Sequence, residues 1–259
     1  MDALIYMIIL IGLMIGSFLN VCIYRIPQKE SINFPRSHCM KCGHVLGPLE
    51  LIPVISYLAL GRKCKQCKQP ISPRYMSIEI LTGIGFGFIY YRYGFNMETL
   101  VGLTFFCFAL VLTMIDWDYM LLPTSIIRWG IGIGLMERLV QSWLENNRYI
   151  LIESLLGALV GYGLFMLVYY GAQWLLKKEG LGYGDVRLMG FIGLFIGIKY
   201  LFLMIIIACV IASVFGVILL KVRKSSEPYP LGPFLNLGAF IVMIWGEQLL
   251  ASYLSLFNL

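Results

Sequence analysis

The chain has 259 residues, of which 59% are hydrophobic and only 13% charged, and its formal net charge is +6. Soluble domains carry roughly 45–50% apolar and about 25% charged residues, so an ordinary soluble enzyme is excluded; the mean hydropathy of +0.83 agrees. The composition is that of an all-α polytopic membrane protein whose environment is the lipid bilayer, and nucleic-acid binding is not expected from the positive charge.

Eight apolar stretches follow in chain order, near residues 3–24, 76–91, 99–115, 124–143, 150–176, 187–198, 200–220 and 231–257. A spanning helix takes about 20 such residues, so about eight transmembrane helices are expected. The first stretch carries Asp2, no Lys or Arg before its core, and no small-residue cleavage site after it. It therefore reads as a retained helix and not as a cleaved signal. The one long polar segment, Arg25 to Tyr75, has 51 residues. The expected organisation is a first helix over 1–24, a loop domain over 25–75 and a seven-helix membrane domain over 76–259.

The sixth stretch is short, since Leu188 to Ile198 is 11 residues, a length that suits a re-entrant segment as well as a span. Charge decides. With the amino terminus outside, the nine basic residues of the polar segment fall inside, together with Lys177, Lys178, Arg187, Lys221, Arg223 and Lys224, which is 15 of the 20. That is the positive-inside bias, and joining stretches six and seven would export Lys221, Arg223 and Lys224. Gly83 and Gly87, Gly130 and Gly134, Gly157 and Gly161, and Gly193 and Gly197 form small-xxx-small patterns that read as close helix contacts. Tyr90, Trp143 and Trp245, near span ends, read as interface anchors.

Within the polar segment, Cys39 and Cys42 are followed after a 21-residue spacer by Cys64 and Cys67. Two CxxC turns can surround one Zn²⁺ in a closed tetrahedron, which makes the site structural because no position is left for a reacting water. Gly43 permits the backbone angles such a turn needs. Two disulfides are the alternative, but a cytosolic loop is kept reduced. His38 and His44 flank the first pair, and the simpler reading is solvated loop histidines. Cys22, Cys107 and Cys209 lie in apolar stretches as small hydrophobes.

Carboxylates stand at two span ends: Asp116 and Asp118 in Met114–Pro123, and Asp185 after Gly182 and Gly184 in Gly180–Arg187. A carboxylate inside a span costs about 2.5–3.5 kcal/mol on insertion scales and usually marks a function. The Lys and Arg topology places all three acids at one depth on the inner side. Two carboxylates sharing a proton can hydrolyse a peptide bond without metal or covalent intermediate, one activating water and the other protonating the carbonyl oxygen. The chain has no HExxH and no GxSxG to offer instead. Glycines before Asp185 permit close approach to an extended substrate. Helix capping, or proton and ion transport through the same aspartates, are the competing readings at this point.

These residues, in this order, resemble the type IV prepilin peptidases, bifunctional leader peptidases and N-methyltransferases with a GxGD aspartyl site. The resemblance covers nearly the whole chain: Gly16–Val21 with Arg25 and Pro27, both CxxC pairs, Ile71–Ser72 through Arg74–Tyr75 to Glu79, Asp116–Pro123, Gly182–Val186 and Leu231–Phe234. It implies a catalytic pair of Asp116 and Asp185, with Gly182, Gly184 and Asp118 in support. It further implies cytosolic cleavage of the basic leader of prepilins or pseudopilins, methylation of the new amino terminus from S-adenosylmethionine, and a place in the inner membrane of a bacterium that builds type IV pili or a type II secretion system. Where the family continues Pro-Asp or Pro-Asn, this chain has Pro123-Thr124. A presenilin-like protease shares GxGD but would carry Tyr before the first aspartate, where Ile115 stands here. The loop is too small for a dinucleotide-style fold, so a methyl donor must bind where loop meets membrane, with Glu79 and Asn20 as candidate residues. Either side chain would serve equally as an interhelical hydrogen bond.

Overall fold

The computed structural model of the protein describes residues 2–176, 181–223 and 229–256. Lys177, Lys178 and Lys224, three of the basic residues that set the expected topology, lie outside them. The described residues form eight α-helices: α1 (Asp2–Arg25), α2 (Ile55–Ala59), α3 (Pro73–Tyr93), α4 (Met97–Tyr119), α5 (Thr124–Leu144), α6 (Arg148–Leu176), α7 (Tyr183–Arg223) and α8 (Gly232–Leu256). Five segments, Ala3–Arg25, Met97–Tyr119, Arg148–Leu175, Tyr183–Val222 and Gly232–Tyr253, are long and apolar enough to cross a membrane. The more polar α3 and α5 have 21 residues each, about 31 Å of helix and the thickness of a hydrocarbon core.

Internal contacts divide the chain into two compact units, Met1–Thr99 and Leu100–Leu259. In the first, α1 and α3 run antiparallel with almost no side chain between them. A Cβ at Gly12 would stand 2.9 Å from Gly83 Cα, and one at Gly16 would stand 2.8 Å from Glu79 Cα. Gly83 and Gly87 receive Leu13 and Ile9 in return. With lipid and not water around them, burial of apolar surface does not drive two helices together, and small residues that let backbones touch are what hold such a pair. Tyr90 departs from the anchor reading: it shares the buried face of α3 with Phe86 and is 7% exposed, whereas Trp143 is 79% exposed.

In the second unit α7 is two antiparallel arms. Gly197, at φ 73° and ψ 168°, is non-helical, a region that is essentially closed to residues with a Cβ. Were the 41 residues straight, Asp185 and Phe215 would be about 45 Å apart. Instead both arms return to the Asp116 end of α4. The Phe215 ring is 5.7 Å from that of Trp117, while Leu188 and Asp116 pack together against Gly232. Stretches six and seven are therefore separate, as their charge required.

The turn is held from two sides. On α6, Gly157 presses on Gly193 so closely that a Cβ would stand 2.3 Å from the Gly193 carbonyl oxygen. On α5, Gly130 and Gly134 form hollows for the Phe191 and Phe195 rings, with a Cβ at 2.6 and 2.5 Å from them. Phe105 of α4 stacks on Phe191 at 5.7 Å, and these rings sit in the centre of the core. The break at Gly197 frees carbonyls from the helical ladder, and Arg138 of α5, 8% exposed, donates to that of Phe195 at 2.6 Å. A Gly197→Val variant is expected to lower stability by about 1–3 kcal/mol from backbone strain, read as a lower thermal unfolding midpoint in detergent. An unchanged midpoint would contradict the reversal.

Candidate active site and metal centre

The second unit gathers its polar chemistry where α4 ends, α7 begins and α8 begins. Asp116, in the last turn of α4, is 5% exposed. Its Oδ2 accepts the Gly232 backbone N–H at 3.0 Å. A Cβ at 232 would stand 2.5 Å from the same oxygen, so any other residue there would push the Asp116 carboxylate aside. Asp185, in the first turn of α7, is half-buried and lies within electrostatic range of Asp116. Gly182 lies against the Asp185 carboxylate, a Cβ there standing 3.1 Å from Oδ2, and its carbonyl takes the Asp185 N–H at 3.0 Å. Gly184 packs against Leu122, where a Cβ would come within 3.0 Å. The two acids thus stand at the same end of the second unit within electrostatic range of one another, and both glycines of the motif are contact points.

Asp118 is not brought to them. Two residues after Asp116 on a helix it points to another side, and it is exposed. Thr124, which stands where Asp or Asn was expected, has its hydroxyl bonded by the Arg187 guanidinium, which also lies 4.4 Å over the Tyr183 ring. Sequence reasoning did not single out Gly232. Its signal was present in Leu231–Phe234, a motif quoted for resemblance without a role.

In the first unit the loop builds two like turns. Cys39 N–H donates to His44 O at 2.8 Å and Gly43 N–H to Cys39 O at 2.9 Å; Cys64 N–H donates to Gln69 O at 2.9 Å and Lys68 N–H to Cys64 O at 3.0 Å. Short antiparallel bridges, His38 with Val45 and Lys63 with Pro70, close each turn at the same offset. Gly43 and Lys68 occupy the equivalent left-handed position at φ 71° and 57°. The four sulfurs lie within 4.8 Å of one another, with Cys39 to Cys67 at 3.8 Å and Cys42 to Cys64 at 3.9 Å. Four ligands at the usual Zn–S length of about 2.3 Å on a tetrahedron are about 3.8 Å apart, so the residues fit zinc. None of the described cysteines is in a disulfide. Backbone N–H groups of Lys41 and Cys42 directed at Cys39 pull its thiol down to about 6, while at Cys42, against the His44 N–H, desolvation and the neighbouring sulfurs push the thiol up to about 12, so the first proton leaves from Cys39. The histidines are not in the cluster: His44 Nε2 is 3.2 Å from Glu50 Oε2, and His38 Nδ1 is 2.9 Å from the Arg36 carbonyl. Glu50 is in turn held below the usual carboxylate range by the Gly47 N–H and by His44.

Beside the cysteine cluster the same unit forms an open-sided cavity of about 660 Å³, lined by Asn20, Tyr24, Tyr57, Tyr75 and Glu79 among others. That size suits a small molecule, for which sites run about 300–1,000 Å³. Asn20 donates to Gly16 O at 3.3 Å and Tyr75 O at 3.0 Å, so it is an interhelical bond. Glu79 accepts the Val54 N–H at 2.8 Å.

Residues 10–93 match the bacterial peptidase A24 N-terminal domain, and 103–217 match the type IV leader peptidase family. Proteins called prepilin leader peptidase/N-methyltransferase are similar over most of their length. That of Pseudomonas aeruginosa is 34% identical over 95% of this chain and 92% of the relative. The Pseudomonas putida protein is 35% identical with the same coverage, and the Neisseria gonorrhoeae protein is 34% identical over 90% and 87%. No solved structure matches.

Protein purified under reducing conditions without chelator is expected to hold about one zinc per chain, and Cys64→Ser is expected to lose it and expose the loop to protease, since structural zinc contributes folding free energy. Metal analysis finding none in the unsubstituted protein would refute the site.

Proposed function

The chain belongs to the type IV leader peptidase family, and we propose that it is a membrane aspartyl endopeptidase that removes the basic leader of prepilins or pseudopilins and then methylates the new amino terminus. The observation that carries the peptidase reading is the neighbouring of Asp116 and Asp185, which are far apart in sequence, with one Asp116 oxygen occupied by the Gly232 N–H. That bond leaves the other oxygen for a water. The ionised member of the pair takes a proton from the water as its oxygen attacks the scissile carbonyl, and the protonated member donates to the carbonyl oxygen. The proton belongs to the pair and not to either residue. Gly182 and Gly184 hold the Asp185 turn close to its neighbours, and Asp118 supports the end of α4 without touching substrate.

We infer from the distribution of Lys and Arg that the loop and the carboxylates face the cytosol of a bacterial inner membrane. Substrates would then serve pilus assembly or type II secretion. S-adenosylmethionine, the methyl donor, would be held in the first unit's cavity, where Tyr24, Tyr57 and Tyr75 offer aromatic rings for its sulfonium cation. The four cysteines with zinc would stiffen one wall of that cavity, to which Cys39 and Cys64 contribute. When bound, the donor supplies an electrophilic methyl carbon.

Asp116→Asn and Asp185→Asn are each expected to abolish cleavage of a purified prepilin in detergent, with expression and zinc content unchanged, because an amide keeps the shape and loses the proton exchange. Asp118→Asn should retain measurable activity. Full activity in either of the first two would sink the mechanism. Gly232→Ala, which puts a methyl group against Asp116, is expected to lower kcat by about 100-fold or more, the scale of a displaced proton-transfer group, with KM little changed; wild-type kcat would show that the Gly232 contact plays no part.

A further inference from the structure

The cavity of the first unit contains a carboxylate that the peptidase chemistry does not use. Glu79 is 8% exposed and sits where α1 and α3 come closest, beside Gly16. Its Oε2 takes the N–H of Val54, a β-branched residue at φ 62° and ψ −51°. Such residues rarely adopt this conformation, and it persists only where the surroundings over-determine it. The other carboxylates of the cavity wall are differently placed. Glu30 is exposed to water, and Glu50 is engaged by Gly47 N–H at 2.8 Å and by His44 at 3.2 Å. The cavity also shares Ser17, Val21 and Arg25 with an apolar groove that follows α1 past Phe18, Met14 and Leu10, so an amino group at the end of an apolar helix has a route to Glu79 from bilayer depth.

We propose that Glu79 receives the α-amine of the cleaved pilin in this cavity and takes one of its protons. The inference rests on the methyltransferase reading above. An α-ammonium, with an unperturbed pKa near 8, has no lone pair to offer until a proton leaves. Glu79 accepts that proton. The nitrogen lone pair then forms a bond to the methyl carbon as the carbon–sulfur bond breaks, and its electron pair stays on sulfur as a neutral thioether. The proton on Glu79 passes to solvent, and the product is a secondary ammonium. A carboxylate as buried as Glu79 attracts a cation more strongly than one in water does, which brings the amine to this side chain and not to the solvated Glu30.

The test uses the full chain in detergent, a pilin freed of its leader, and labelled S-adenosylmethionine. Glu79→Gln is expected to lower the methylation rate about 100-fold or more, while calorimetric affinity for S-adenosylhomocysteine stays within about threefold and zinc content is unchanged. Glu79→Asp should recover part of the rate. Methylation by Glu79→Gln at the wild-type rate would overturn the proposal. So would loss of S-adenosylhomocysteine binding in step with methylation, which would make Glu79 a donor-site residue. A wild-type chain that puts no label on the pilin amino terminus would overturn the methyltransferase reading itself.

Discussion

At the start of α8 the backbone of Gly232 lies directly against the Asp116 carboxylate at the end of α4, and much of the second unit follows from that contact. Gly232 reaches the Asp116 carboxylate only because it lacks a Cβ. With α8 pinned there, the preceding arm of α7 must end nearby, as Phe215 and Tyr229 do in packing against Phe234. The earlier arm must begin nearby, because Asp185 lies in its first turn and Leu188 closes on Gly232. Both arms can meet this demand only if the chain turns back between them. Gly197 makes the turn, and the buried Arg138 answers the carbonyl that the turn releases. Burying an arginine is costly unless its N–H groups find acceptors, and here one of them meets the Phe195 carbonyl beside the turn.

The sequence carried much of this in plain form. Spans were legible because bilayer thickness fixes helix length, and the cluster of Lys221, Arg223 and Lys224 called for a break between stretches six and seven, which Gly197 makes. The cysteines were legible because tetrahedral thiolate chemistry fixes their pairing. Four glycine pairs announced close helix contacts, and each is one. Less legible was anything that depends on tertiary placement of a main-chain group. Gly232 acts through its N–H, Arg138 through a carbonyl 57 residues away, and Val54 through a backbone angle. None of these has a side-chain pattern of its own. Tyr90 was misjudged for a related reason: nearness to a helix end does not say which face a ring is on.

The cysteine loop is a large element for a hydrolase of this kind to carry. Ordering roughly 50 residues costs about 1–2 kcal/mol each in backbone entropy, and few of its side chains are buried. Two matched turns that bring four thiols together would, with a metal bound, offset that cost locally, and the bond from Val54 to Glu79 ties the loop to α3. A cavity results that α1 and α3 alone would not enclose. The two units thus differ: one has carboxylates on helix ends, and the other has a loop-walled cavity whose buried carboxylate is Glu79.

The central claim is that Asp116 and Asp185 work as one proton-sharing pair. The most direct measurement is the pH dependence of kcat/KM for leader cleavage by the purified chain. A pair in which one member must be ionised and the other protonated gives a bell, with activity falling on both the acid and the alkaline side. A profile that rises to a plateau and stays there, as expected for a single general base, would contradict it.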